Sequence, residues 1–171
     1  MIRVSSNRLR AAALCLLALP ALASADGASI KRNAGANPSS PFSSSIWVGD
    51  TLYVSGALAQ PSKPAAAGAP PTIEGDTRAQ TTSVLTSIQK TLREQGLDMG
   101  DVIQMRVYLA GDPSLGGKMD FAGMNGAYSQ FFGTKEQPNK PVRTTVQVAA
   151  LALPGALVEI EVTAVRGSPA K

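Results

Sequence analysis

The feature that most constrains the fold is an alternation of apolar and polar residues toward the C-terminus. Val142, Val146 and Val148 are separated by even numbers of residues, and Val158 and Ile160 begin a second run with the same two-residue spacing. Successive side chains of a β-strand point to opposite faces of a sheet, so a period of two indicates half-buried strands. The sequence therefore predicts two final strands, at about 142–149 and 156–165, with a connection between them.

Polar and charged residues occupy the alternate positions of these two strands. Arg143, Thr145 and Gln147 alternate with the valines of the first strand, and Glu159 and Glu161 alternate with those of the second. One interpretation is a solvated outer sheet face. The other is a face covered by a partner subunit, where Arg143 needs an anion and Glu159 is a partly desolvated carboxylate able to activate water. The pattern alone leaves both interpretations open.

The preceding segments predict a hairpin, two helices and one further strand. Gly49-Asp50 separates two short apolar segments and suits a type II′ turn, and Asp76 is a helix N-cap before an apolar stripe that ends near Gln95. Alternation in "DVIQMRVYLAG", residues 101–111, predicts a half-buried strand with Ile103, Met105, Val107 and Leu109 on one face, and a second helix is expected over about 119–132. Asn125 lies within the apolar stripe of that helix and needs a polar partner.

The element order β-β-α-β-α-β-β predicts an α+β fold. Two helices are too few to cover both faces of such a sheet, so both are expected on one face. The uncovered face carries apolar residues and indicates oligomerisation.

The N-terminus has the features of a secretory signal peptide. Arg3, Arg8 and Arg10 precede an apolar run at 11–23 and a small-x-small site that ends at Ala25. The run is shorter than the roughly 20 residues that a membrane-spanning helix needs. We predict cleavage after residue 25 and a periplasmic or secreted protein, with a flexible arm at 26–40, a single domain at 41–167 and a tail at 168–171.

Composition excludes several classes of chemistry. Removing the leader removes the only cysteine and three of the 16 basic residues, which leaves 13 basic and 12 acidic residues, a net charge of +1. A nearly neutral chain gives no electrostatic reason to expect nucleic acid. With no histidine in the sequence, Ser-His-Asp catalysis and the usual His/Cys zinc sites are excluded. We predict no metal and no disulfide.

Several stretches together resemble the YjgF/RidA family of imine deaminases. They are "LYVSG", "DFAGMNGAYSQFF" and "KPVRTTVQVAALALPGALVEIEVTA", and the resemblance covers about residues 41–166. It implies a chorismate-mutase-like fold and a homotrimer with three sites in clefts between subunits.

The resemblance also implies roles for particular residues. Arg143 would grip a substrate carboxylate, and Glu159, not Glu161, would position the attacking water. This sequence departs from the family pattern in having Phe42 instead of tyrosine, Ala57 instead of glutamine and Thr145 instead of cysteine. The implied substrate-binding residues are Phe42, Ser55, Gly56, Asn125, Tyr128, Thr144 and Thr145.

The implied activity is hydrolysis of small 2-imino acids or their enamine tautomers to 2-oxo acids and ammonia, without a cofactor. An exported member meets a different supply of imines from a cytosolic one. The alternatives are therefore a non-catalytic binder of small carboxylate or carbonyl metabolites and, behind it, a ribonuclease or a protein-protecting holdase. No nucleic acid is expected as a partner, and no membrane once the signal peptide is removed.

Overall fold

The computed structural model describes residues 27–35, 37, 39–61 and 67–167. The predicted signal peptide at 1–25, the predicted tail at 168–171 and part of the Pro/Ala-rich segment before Asp76 lie outside the described residues. Within these ranges, no helix combines the length and the apolar character that crossing a bilayer requires.

One mixed sheet with two helices on one face forms the domain, as the α+β prediction required. The strand order is β1-β2-β3-β6-β4-β5, and every neighbouring pair is antiparallel except β4 and β5, which are parallel. The strands are β1 (Ile30–Asn33), β2 (Ser45–Val48), β3 (Thr51–Leu58), β4 (Val102–Ala110), β5 (Val142–Val148) and β6 (Val158–Val165), and the helices are α1 (Thr77–Glu94) and α2 (Phe121–Tyr128).

The first hairpin forms where the sequence predicts it. Val48 pairs with Thr51 across a two-residue loop, and Gly49 has φ 57°. Positive φ at the first loop position but not at Asp50 is the geometry of a type II′ turn, which matches the twist of the flanking strands. The predicted hairpin is confirmed.

Helix α1 also follows its sequence signals. The Asp76 side chain accepts a hydrogen bond from the Ala79 N–H at 2.8 Å, and Gly96 beyond the C-terminus has φ 75°. The buried side of the helix packs on β3 and β6. Gln80, fully buried, donates to the Gly155 carbonyl and accepts from the Leu157 N–H at 2.8 Å, which ties α1 to the start of β6.

Helix α2 is shorter than the predicted 119–132. Its first turn is set by Asp120, whose carboxylate accepts a hydrogen bond from the Gly123 N–H at 2.8 Å. Met119 precedes this cap, and its N–H donates to the Gln147 side chain instead. After Tyr128 the chain continues in turns that bring the Phe132 ring to 4.9 Å from the Tyr128 ring, so the apolar periodicity extends past the helix itself.

Two further expectations are wrong. Residues 30–33, predicted within a flexible arm, form β1 along the edge of β2, where pairing needs backbone groups and no apolar pattern. Ile103, predicted on the buried face, is 51% exposed because a bulge between Val102 and Gln104 shifts the alternation. Val102 is buried in its place.

Candidate active site

Arg143 lies on the helix side of the sheet, at its edge. Strand β5 is the last strand, and Arg143 pairs with Met105 of β4, which is 1% exposed and faces the core. Residues paired across neighbouring strands share a face. The expected partition of β5 is therefore reversed: its arginine points toward the helices, while Val142 and Val146 are exposed on the outer face. The interpretation of Arg143 as a charge on a solvated outer face is wrong.

Helix α2 surrounds the Arg143 guanidinium with uncharged groups. The Asn125 side-chain oxygen Oδ1 accepts a hydrogen bond from Nη2 at 3.0 Å, and the Met124 sulfur lies 3.9 Å from Nη1. The Tyr128 ring centroid is 4.3 Å from Cζ and the Phe121 ring centroid 5.7 Å, both within cation–π range. Asn125 thus has the polar partner that its place in the stripe required.

Arg143 has spare capacity for an anion. A guanidinium carries five N–H donors in a planar fork that matches a carboxylate. Among the described residues, no carboxylate lies within ion-pair distance of Arg143. Burial raises the pKa of the Tyr128 phenol, and Arg143 lowers it by a smaller amount, so the phenol beside the guanidinium is neutral at physiological pH. The positive charge is therefore not offset locally.

The two threonines that follow Arg143 point in opposite directions. Thr144 is exposed on the outer face, whereas Thr145 shares the face of Arg143. In the described part of the chain, Thr145 Oγ1 is the buried side-chain polar atom that has no hydrogen-bond partner. A buried hydroxyl without a partner is unusual in native proteins, so a hydrogen-bonding group is missing beside Thr145 on the Arg143 side of β5.

Glu159 lies on the opposite face of the sheet from Arg143. It pairs with Leu58 of β3 and Tyr108 of β4, and Tyr108 is three positions from core-facing Met105, which gives it the outer orientation. In the resolved portion of the fold, no cation lies within ion-pair distance of Glu159.

Glu161, the second acid of β6, is engaged by a neighbouring strand. It forms an ion pair with Arg106 of β4, with which it is also in register. The hydrogen bond and the charge of Glu161 both raise the pKa of Arg106. The pairing therefore distinguishes two acids that periodicity treats alike: Glu161 has a partner, and Glu159 keeps its carboxylate available.

Gly56, Ser55 and Phe42 lie on the Glu159 side of the domain. A β-bulge places Ser55 and Gly56 opposite Glu161, and the Glu159 carboxylate lies directly over Gly56. The Ser55 hydroxyl donates to the Ser43 carbonyl at 2.7 Å and so holds the loop that carries Phe42. Phe42 is 64% exposed and, together with Ser55, borders a cavity of about 340 Å³ on the outer face of the sheet that Arg106 and Glu161 also line.

The predicted site residues therefore form two separate groups in one chain. We call the first the clamp side; it consists of Phe121, Met124, Asn125, Tyr128, Arg143 and Thr145. We call the second the acid side; it consists of Phe42 and Ser55, which line the outer-face cavity, and of Gly56 with the Glu159 carboxylate over it. The sheet lies between Arg143 and Glu159, so a single chain cannot place one small substrate against both.

Sequence reasoning missed two members of the clamp side. Phe121 and Met124 were expected only as parts of an apolar stripe, yet both contact Arg143. Their spacing of seven and four residues from Tyr128 places them on its face of α2 and is the signal that could have found them. Among the described residues, no three histidine, cysteine or acidic side chains converge in a way that could hold a metal ion.

The family follows from a comparison with family models. The model described as Endoribonuclease L-PSP matches residues 33–166, which is most of the chain. The chain belongs to the YjgF/RidA family. Among curated members, a RutC family protein of Pyrococcus abyssi is 34% identical over 127 residues, covering 74% of this chain and 87% of that protein. TdcF of Escherichia coli, provisionally named a reactive intermediate deaminase, is 30% identical over 128 residues, covering 75% and 88%.

Solved structures of YjgF/RidA proteins have the same fold. A YjgF family member from Neisseria meningitidis superposes with a TM-score of 0.62 at 25% identity, covering 84% of this chain and 99% of that one. A member from Mycobacterium tuberculosis superposes with a TM-score of 0.61 at 26% identity, covering 81% and 100%. The α+β fold and the family are thereby confirmed.

Proposed function

We propose that this YjgF/RidA protein hydrolyses small 2-imino acids, or their enamine tautomers, to 2-oxo acids and ammonia at sites between subunits. The observation that carries the proposal is the Arg143 guanidinium: it is stacked on Tyr128, bonded to a neutral amide and unpaired with any described acid. Such a group is suited to a small carboxylate, which it can bind with two parallel hydrogen bonds. The provisional deaminase name of the relative TdcF supports the reaction class.

The outer face of the sheet supports a site built between copies. Val142 is 68% exposed and Val146 42% exposed, and exposed Ile103 lies nearby on β4. Exposed apolar side chains on one face of a sheet are a common basis for self-association. In the assembly that we propose, a homotrimer, a neighbouring copy covers this face and brings its Glu159 to the Arg143 edge.

The chemistry then needs only positioning and proton transfer. Arg143 holds the carboxylate of the protonated imine, and Glu159 of the neighbouring copy accepts a proton from water as the water oxygen bonds to the imine carbon. The resulting carbinolamine receives that proton on nitrogen, the C–N bond breaks as the carbonyl forms, and the nitrogen leaves with the hydroxyl proton as ammonium. Positioned general bases typically contribute 10²–10⁴-fold to such steps.

The enzymatic test uses an imine generated in the assay. Residues 26–171 are supplied with 2-aminoacrylate formed in situ, and the appearance of pyruvate is followed against the uncatalysed decay. We expect acceleration by the wild type, none by Arg143→Ala, and wild-type rates for Arg93→Ala, whose arginine lies on α1 and pairs with Asp98. No acceleration by the wild type, or an active Arg143→Ala, would contradict the proposal.

A second candidate is a non-catalytic receptor for small carboxylates. It is favoured by the fact that Arg143 and the groups that stack on it and bond to it all lie within one chain, whereas Glu159 lies across the sheet. This function predicts saturable binding of pyruvate that depends on Arg143 but is unaffected by Glu159→Gln, with no turnover of the imine.

The location that we propose is the periplasm or the cell exterior, on the strength of residues 1–25. Imines in that compartment must come from a reaction that works there, such as oxidation of an amino acid at its C–N bond. Fractionation of cells that produce the full chain tests this: the processed protein in the cytosol would contradict it.

A further inference from the structure

Gly56 is a glycine for which the backbone offers no reason. It is one of the two bulged residues of β3, yet its φ is not in the positive range that a glycine-requiring bulge needs and that nine other glycines of the described chain occupy. An alanine could therefore adopt the same backbone conformation without strain. The reason for glycine at this position must be the space that a side chain would fill.

That space is occupied by the side chain of Glu159. A Cβ added at Gly56 would overlap Glu159 Oε1 and lie 3.1 Å from Cδ and 3.3 Å from Cγ. Glu159 is in register with Leu58, so Gly56 is its diagonal neighbour on the same face of the sheet. The carboxylate thus lies in a slot that exists because residue 56 has no side chain.

We infer that Gly56 is a positioning residue for Glu159 rather than a point of close approach for substrate. Strand β6 is paired on both sides, with β3 and β4, so the Glu159 backbone is fixed and only the side chain can respond to a filled slot. A methyl group at residue 56 would turn the carboxylate away while leaving the fold intact. This inference rests on the proposed function, in which Glu159 activates the water.

The test compares catalysis with product binding in Gly56→Ala. Misplacing a catalytic group by about 1 Å can cost on the order of 10²-fold. We expect kcat to fall by about 10- to 100-fold, while KM, pyruvate affinity and the thermal midpoint stay close to wild type. The matched control is Gly100→Ala, where an added Cβ lies 3.5 Å from Asn139 and 3.6 Å from Gln137, at ordinary contact distance.

Shortening the acid at residue 159 gives a double-mutant test that distinguishes misplacement of the carboxylate from a general structural defect. Glu159→Asp removes the Oε1 atom that an added Cβ would overlap, so Gly56→Ala should cause a much smaller further loss in a Glu159→Asp background than in the wild type. Full kcat in Gly56→Ala, or pyruvate affinity that falls in parallel with kcat, would overturn the inference.

Failure of the proposed function itself has a different signature, because the wild type would then be inactive. In that case a crystal structure of Gly56→Ala decides the positioning role on its own. Displacement of the Glu159 carboxylate from residue 56 supports the role, and an unmoved carboxylate overturns it.

Discussion

Strands β5 and β6 have nearly the same alternating pattern, but the domain uses them in opposite ways. In β6, Val158, Ile160 and Val162 are buried under α1, and the acids point outward. In β5, the valines point outward and Arg143 points toward α2. Alternation gives two faces to each strand but does not say which face meets the core. The pairing register with β4 decides that: Arg143 lies opposite core-facing Met105, and Ile160 lies opposite buried Val107.

The difference between the strands explains why the site is divided. Arg143 and Glu159 occupy the same parity in the sequence pattern, yet they lie on opposite faces of the sheet. The exposed valines of β5 are not covered by any described residue of this chain, and they lie on the opposite face of the strand from Arg143. A second copy that covers them is, in our account, the same copy that supplies the missing carboxylate.

The largest expected effect separates the two acids of β6. Glu159→Gln removes the proposed base and should lower kcat by about 10²–10⁴-fold. Glu161→Gln removes only one side of a surface ion pair with Arg106, and such pairs contribute at most about 1 kcal/mol to stability. Steady-state kinetics of both variants check this, and equal losses would mean that the two acids are not functionally distinct.

A smaller effect should separate the valines of the two strands. Val162→Ala, in the core, should cost about 2 kcal/mol of unfolding free energy at any protein concentration. Val146→Ala, on the exposed face, should act mainly through the assembly, so its destabilisation should disappear on dilution below the concentration at which the wild-type assembly dissociates. Denaturant unfolding at two protein concentrations measures both, and a concentration-independent loss in Val146→Ala would remove the case for a covered face.

The smallest effect concerns Thr145. Its buried hydroxyl has no partner in the described residues, so Thr145→Val should raise the unfolding free energy by about 1 kcal/mol. The control is Thr81→Val, which removes a hydroxyl that donates to the Thr77 carbonyl at 2.6 Å and should lower stability. Destabilisation by Thr145→Val would instead indicate that the assembled protein provides a hydrogen-bond partner.

Local signals in the sequence were sufficient for much of the fold. The Gly49-Asp50 turn and the Asp76 cap are each determined by a few neighbouring residues, and both are where the sequence predicts them. The element order and the family resemblance both predict the α+β class, which the sheet with its two helices has. The roles that the resemblance assigns to Arg143 and Glu159 remain a prediction.

Features that depend on pairing between distant parts of the chain were not predicted from the sequence. Strand β1 forms because an edge of β2 is available to it, and Ile103 turns outward because a bulge forms against β6. The face of Arg143 depends on which strands neighbour β5. None of these is encoded in a local pattern, since each is set by pairing between segments that are far apart in sequence.

The central claim is that Arg143 and Glu159 of different copies form one site, and mixed assemblies test it most directly. Arg143→Ala and Glu159→Gln chains are co-expressed with different tags and isolated through both tags. Each variant alone should be inactive, but a mixed trimer contains one interface with both residues intact, so about a third of the wild-type rate should return. Mixed assemblies as inactive as either parent would contradict the account.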